Sequence, residues 1–291
     1  MISYSRNTFQ ELIFSKDPER IDKGMELLRS TQPRTIEDVF VEIGWAVMDD
    51  NSLSDRMSEH TYLTLYLLGV MHDFGVEWVI ELEELEVFLE GLTQIPDIFM
   101  NLTNLSWLDL SSNQLTQIPK SIENLRNLTH LNLSDNPLEH FPNNLVCLTT
   151  DNELWEIFQT EICNMKTLKN LALYDGHTLT TLPESFENLI DLTSLAFIET
   201  KMGTIPDSVT TLTNLTELIF DSCQLTSLSD SIGNLTNLKN LLLDYNRLTN
   251  LPESIGKLTN LTYLGLSGNP ISESEQASIQ TLLPNCDVCF T

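Results

Sequence analysis

The chain has 291 residues, 41% of them apolar but only 8% aromatic, so a core built mainly from aliphatic side chains is expected. Fifteen basic residues stand against 42 acidic ones, a formal charge of −27 at pH 7. Such a field repels phosphate backbones and anionic headgroups, which argues against nucleic acid and membrane surfaces and leaves proteins or peptides of basic or neutral surface as compatible partners.

The first residues, MISYSRNTFQELIF, lack a basic stretch followed by a long apolar run and do not read as a secretory signal. A cytoplasmic location is the expectation, with export by a signal-independent route left open. Residues 1–81 carry helical spacing: Ile21, Met25 and Leu28 share one face, then Val39, Ile43 and Val47 come after a capping box at Thr35 and Asp38. Two to four helices are expected, first of all as a cap on the end of the neighbouring segment. The densest apolar run, Tyr62 to Met71, is interrupted by Thr64 and Gly69 and has roughly half the length of a membrane span.

From Leu82 onward a phrase L-x-x-L-x-[LVF] recurs, beginning again at Leu105, Leu128, Leu168, Leu192, Leu215, Leu238 and Leu261. Successive starts lie 23, 23, 40, 24, 23, 23 and 23 residues apart, so one unit carries 17 extra residues and another carries one. Within a unit, apolar and polar residues alternate around Leu108 and Leu110, as in a strand with one buried face, whereas Ile118 to Leu125 widens to helical spacing. Each unit is therefore strand, turn and short return. One coil cannot cover its own leucines, and stacking the next coil on it does, in parallel. Asn113, Asn136, Asn246 and Asn269 recur after the strand, where an amide inside the coil can satisfy backbone groups left without ladder partners. Cys223, Thr200, and Gly176 or His177 stand there in other units, so this ladder is expected to be weakest near residues 176–200. Pro96, Pro119, Pro142, Pro183, Pro206 and Pro252 open the return legs, with Ser229 as the exception.

These residues resemble the leucine-rich repeat proteins of the 23-residue kind, L-x-x-L-x-L-x-x-N-x-L-[TS]-x-[IL]-P-x-x-[IF]-x-x-L, over about two-thirds of the chain. The resemblance implies an α/β solenoid with its parallel sheet on a concave side and short helices on a convex side, and a role in holding other proteins. The ending ISESEQASIQTLLPNCDVCF resembles the closing cap of many bacterial members. The expected organisation is a helical cap over 1–81, eight repeats over 82–271 and a C-terminal cap over 272–291. The extra residues, near 143–161, are expected to form a longer helix on the convex side, with Trp155 either packed on its scaffold or anchoring a partner.

No catalytic constellation emerges. His60, His72, His130, His140 and His177 have no metal spacing, no glycine-rich phosphate loop occurs, and Cys286 with Cys289 is a lone C-x-x-C. No cofactor is implied. The five cysteines fit reduced thiols better than a disulfide framework.

The residues that the repeat leaves free face outward from the strands. Ala172, Ala196, Ile219 and Leu242 put apolar side chains on four consecutive coils, flanked by Tyr174 and Ile198 and, further off, Tyr263 and Trp107. Glu217, Asp221 and Asp244, with Asp175 and Glu199, supply an acidic rim that hints at a basic partner or a cation. The expected function is non-enzymatic capture of a protein or peptide on the concave face by a monomer or weak oligomer. The alternative is a regulatory subunit or secreted effector acting through the helical N-terminal region or the Trp155 insertion.

Overall fold

The computed structural model describes residues 15, 17–30, 53–88, 90–142 and 145–291. The expected helical face of Val39, Ile43 and Val47 and its capping box lie outside the described residues. The chain divides into two units, one of residues 1–128 with 136–142, the other of 129–135 with 143–291.

The first unit opens with α1 (Pro18–Ser30), α2 (Leu53–Asp73) and α3 (Glu77–Ile80), followed by strands β1 (Glu84–Glu86) and β2 (Trp107–Asp109). Asp17 caps α1 by accepting from the Glu19 N–H at 3.0 Å, and Pro18 fills the first helical position, where its missing N–H costs nothing. Ile21 and Met25 are buried, and the Tyr62 hydroxyl donates to Asp22 at 2.7 Å, tying α1 to α2. In α2, residues Tyr62 to Met71 are buried on every face, as a helix packed on more than one side must be. Gly69 permits that fit: a Cβ there would lie 2.4 Å from the Ile98 carbonyl oxygen. The helical layer thus rests on the turn Asp97–Asn101 of the first coil, where a cap is expected. β1 and β2 pair in parallel, Glu84 beside Trp107.

The second unit stacks β3 (His130–Asn132), β4 (Cys147–Asp151), β5 (Asn170–Tyr174), β6 (Ser194–Ile198), β7 (Glu217–Asp221), β8 (Asn240–Leu242), β9 (Tyr263–Gly265) and β10 (Asp287–Cys289), each parallel to the next. The return legs are single turns entered through Pro183, Pro206 and Pro252 at φ between −69° and −64°. At the exception, Ser229 holds φ −73° and its hydroxyl caps the Ser231 N–H instead.

The sequence expectation is corrected in two places. Where a helical excursion is expected, the chain forms β4 and then helix α4 (Asn152–Cys163), so the interval holds a shortened coil and one more complete coil that restarts at Leu145. This unit reads L-x-x-L-x-T through Leu145, Leu148 and Thr150, and its buried threonine hides it from a search for an aliphatic third position. Asp151 caps α4 by accepting from the Leu154 N–H at 2.8 Å. The C-terminal segment forms helix α6 (Glu273–Leu282), the short turn α5 (Asp207–Thr210) having come before it in the chain, and then the unexpected strand β10, which extends the pairing onto β9. Ser272 caps α6.

The inner asparagines do what the pattern requires. Asn246 Oδ1 accepts from the Cys223 and Leu225 N–H groups, both at 3.0 Å, while its amide donates to the Phe220 and Leu243 carbonyls at 2.6 and 2.9 Å. Asn113, Asn136 and Asn269 make the same links to the coil before them. At the weak stretch, Gly176 has no side chain and Thr200 Oγ1 is buried without a nitrogen or oxygen partner. There an aromatic spine fills the interior instead: Trp155 meets Phe186 edge-on at 6.0 Å, followed by Phe197 and Phe220 with ring centroids 4.9 Å apart.

A second, outer ladder explains the recurring N-L phrase. The side-chain amides of Asn104, Asn127, Asn214, Asn237 and Asn260 each donate to a carbonyl 24 residues earlier, on the preceding coil or, for Asn104, at the end of α3, at 2.7–3.0 Å. An amide in that role needs a donor on a short side chain, which selects asparagine.

Candidate interaction surface

Alternation along each strand separates the leucines from the outward residues. Leu171, Leu195, Leu218, Leu241 and Leu264 are all within 2% of complete burial, and the residues on either side of them stand on the opposite face, where Ala172, Ile219 and Leu242 are partly exposed and Ala196, at 6%, is nearly covered. The pairing register then fixes which outward residues are neighbours. One column runs Asn132, Thr149, Ala172, Ala196, Ile219, Leu242, Gly265 and Cys289, each directly beside the next. Its middle four members are the expected apolar set, now contiguous by hydrogen-bonded register. On one side lie Asn170, Ser194, Glu217, Asn240 and Tyr263, with Ser194 donating to Glu217 at 2.7 Å. At the C-terminal ends of the strands stand Tyr174, Ile198, Asp221 and Asp244, and one residue further Asp175, Glu199 and Tyr245.

That last position is set by the backbone. Ser112, Asp135, Asp175, Glu199, Ser222 and Tyr245 all have φ between 52° and 58°, and Gly268 continues the row at 69°. The left-handed residue turns the chain inward, so that the ladder residue following it points into the coil. It leaves its own side chain outside, and Tyr245 is 69% exposed.

The two strand-end aspartates are only half-exposed. Asp221 accepts the Asp244 N–H at 3.1 Å, and Asp244 accepts the Ser267 N–H at 2.6 Å. Burial, followed by repulsion from the Asp244 carboxylate, pushes Asp221 up to about 6, against the opposing pull of the Asp244 N–H. Burial and then the Asp221 charge also raise the Tyr174 hydroxyl. Gly265 and Gly268 leave room beside this group, since a Cβ on either would strike the Asp244 carboxylate or the Tyr245 ring.

Other chemistry is sparse among the described residues. Ligand atoms of Asp175, His177 and Glu199 lie within 4.8 Å of one another, all three residues exposed, where water solvates carboxylates without an ion. Burial pushes the Cys147 thiol up to about 12 and Cys163 to about 11, the opposite of what a nucleophile needs. Cys289 is lowered by the Ser267 hydroxyl and the Thr291 backbone. No described helix is long and apolar enough to cross a membrane.

Two family descriptions match the chain, "Leucine rich repeat" over residues 81–138 and "Leucine-rich repeat region" over 148–285. The chain belongs to the leucine-rich repeat family. Among solved structures, a leucine-rich repeat protein of Leptospira interrogans is similar, with 36% identity and a TM-score of 0.52. That alignment covers 73% of this chain and 55% of the other, so the repeat protein described here spans little more than half the length of its relative. Internalin C2 of Listeria monocytogenes is also similar, at 23% identity and a TM-score of 0.38, covering 74% of this chain and 83% of that one. No curated protein matches the chain. Repeats of this family generally mediate protein–protein interaction.

Within this leucine-rich repeat protein the fold brings together Tyr174, Ile198, Ile219, Leu242, Asp175, Glu199, Glu217, Asp221 and Asp244 on neighbouring strands, with Tyr263 one strand further on. Trp107, 39% exposed, belongs to β2 of the first unit. Trp155 is 1% exposed and serves the core, so the insertion cannot present it to a partner. Thr149, Tyr245 and Cys289 are face residues that the sequence pattern leaves out, Thr149 because its whole coil escapes the written repeat. Tyr245 could have been found as the bulky residue directly before a ladder asparagine; Cys289 required the unexpected strand β10.

Proposed function

We propose that this leucine-rich repeat protein is a non-enzymatic binding module that captures a protein or peptide on the strand face of β5 to β8. The observation that carries this is the outward column Ala172, Ala196, Ile219 and Leu242 on four adjacent strands, of which Ala172, Ile219 and Leu242 are partly exposed while Ala196, 6% exposed, forms the nearly covered floor between them. Apolar side chains scattered singly over a surface need no explanation, whereas a contiguous set edged by Tyr174, Ile198 and Tyr263 has the composition of an interface centre. Glu217 on one side and Asp175, Glu199, Asp221 and Asp244 on the other provide a polar rim suited to a basic or neutral surface.

The double variant Ile219→Ser, Leu242→Ser tests this. Both side chains lie outside the leucine core, so its circular dichroism and cooperative unfolding should match the parent. Affinity capture from the native cell should lose the proteins that the parent retains. Identical retention by a folded double variant removes the proposal.

A further inference from the structure

We infer that the occupant of the β5–β8 face is a lysine- or arginine-bearing protein segment, which sets an aliphatic side chain on the Ile219–Leu242 column and its cations along the strand-end carboxylates. This rests on the proposed use of that face, and it adds a requirement for positive charge in the partner.

The requirement comes from what docking would cover. Segments 170–175, 194–199, 217–222 and 240–245 contain five carboxylates, Asp175, Glu199, Glu217, Asp221 and Asp244, and no lysine, arginine or histidine. Asp221 and Asp244 stand next to Ile219 and Leu242 along their strands, two positions on, so a partner seated on the apolar column also takes water from these two carboxylates. Both are already half-buried, and the hydrogen bonds described for their oxygens come from one backbone N–H each. A neutral partner would strip them of water and return hydrogen bonds alone, and an anionic one would add repulsion. A cation returns both a donor and the compensating charge. The surroundings suit its stem as well as its head. Ile198 and the Tyr174 ring offer apolar surface to the methylenes of a lysine or arginine, and the faces of Tyr174 and Tyr245 attract the charge itself.

Three fluorescent synthetic nonapeptides, each with a central leucine flanked by lysines, glutamines or glutamates, test this by fluorescence anisotropy with the full chain at low and high salt. The lysine peptide should bind, weaken at high salt, and lose at least about tenfold in affinity for the double variant Asp221→Asn, Asp244→Asn. That variant keeps both oxygen acceptors for the backbone N–H groups. A control pair on the return leg, Glu184→Gln with Glu187→Gln, removes the same charge and should leave affinity unchanged. Equal weakening by both pairs overturns the inference, because the attraction would then belong to the net charge of −27, and so does no weakening by either pair or no binding of the lysine peptide, because these carboxylates would then select nothing. If the glutamine peptide binds as tightly as the lysine one and Ile219→Ser with Leu242→Ser abolishes both, the charge requirement falls while the binding face stands.

Discussion

Gly265 lies directly beneath the Asp244 carboxylate: a Cβ on Gly265 would sit 2.5 Å from Asp244 Oδ2. The glycine is thus the space into which the preceding coil leans its acid, where it accepts the Ser267 N–H. Gly265→Ala should destabilise the chain by about 1–2 kcal/mol, as overpacking does. In an Asp244→Ala background the same change should be neutral or slightly stabilising, because alanine suits a strand better than glycine. A double-mutant cycle by urea denaturation measures the difference, and additive effects would show that the two groups do not meet.

The two asparagine ladders should differ in strength. Asn246→Ala leaves the Cys223 and Leu225 N–H groups and the Phe220 carbonyl unpaired inside the coil, at a cost of about 3 kcal/mol or more. Asn237→Ala removes one exposed bond to the Thr213 carbonyl, which water can replace, and should cost under about 1 kcal/mol. Chemical denaturation of the two variants gives the ratio directly.

Thr200 takes an inner-ladder place with a buried hydroxyl that has no nitrogen or oxygen partner. Valine has the same shape without that group, so Thr200→Val should stabilise the chain by about 1 kcal/mol. A loss of stability would mean that the hydroxyl has a role, with the neighbouring Cys223 thiol as the group to test first.

Asp221 has a definite pH signature. Its carboxyl is raised from 3.8 to about 6 in the folded chain, so the folded state holds this proton more tightly than the unfolded state does. The sign is therefore opposite to that of a salt-bridged aspartate: stability at this site falls as pH rises from about 4 to about 6, and the loss persists above. Two pH units correspond to at most about 3 kcal/mol, and partial exposure to water reduces that to about 1 kcal/mol. Asp221→Asn should accordingly be more stable than the parent by about 1 kcal/mol at about pH 7.5 and indistinguishable from it at about pH 4. Melting curves across that range check both the size and the direction.

Gly69 tests the helical layer. Its missing Cβ admits the Ile98 and Phe99 backbone; an added Cβ would overlap the Ile98 carbonyl and the Phe99 nitrogen, backbone atoms that no side-chain rotation can move aside. Gly69→Ala should cost about 2–3 kcal/mol despite alanine's better helix propensity. Proteolysis should then cut the first unit earlier than in the parent. An unaltered digestion pattern would separate α2 from any role in covering the first coil.

Periodicity alone determined which leucines of the eight written repeats are sequestered, where their strands lie and which way Ile219 and Leu242 point. A repeat one strand and one return long leaves a single arrangement in which every aliphatic row is covered, and the proline and asparagine positions mark its corners. What periodicity could not reveal depended on contacts between coils. Thr150 broke the written pattern yet is buried like the leucines it replaces, so an additional coil emerged only when β4 paired with β5. Trp155 looked available until Phe186, 31 residues on, met its ring. The pressure on Asp221 arises from burial within the stacked coils and then from Asp244, 23 residues further along, which the register sets beside it. Hydrophobic spacing is a property of neighbours along the chain, whereas burial of one particular side chain, and the charge that it can keep, belong to neighbours in space.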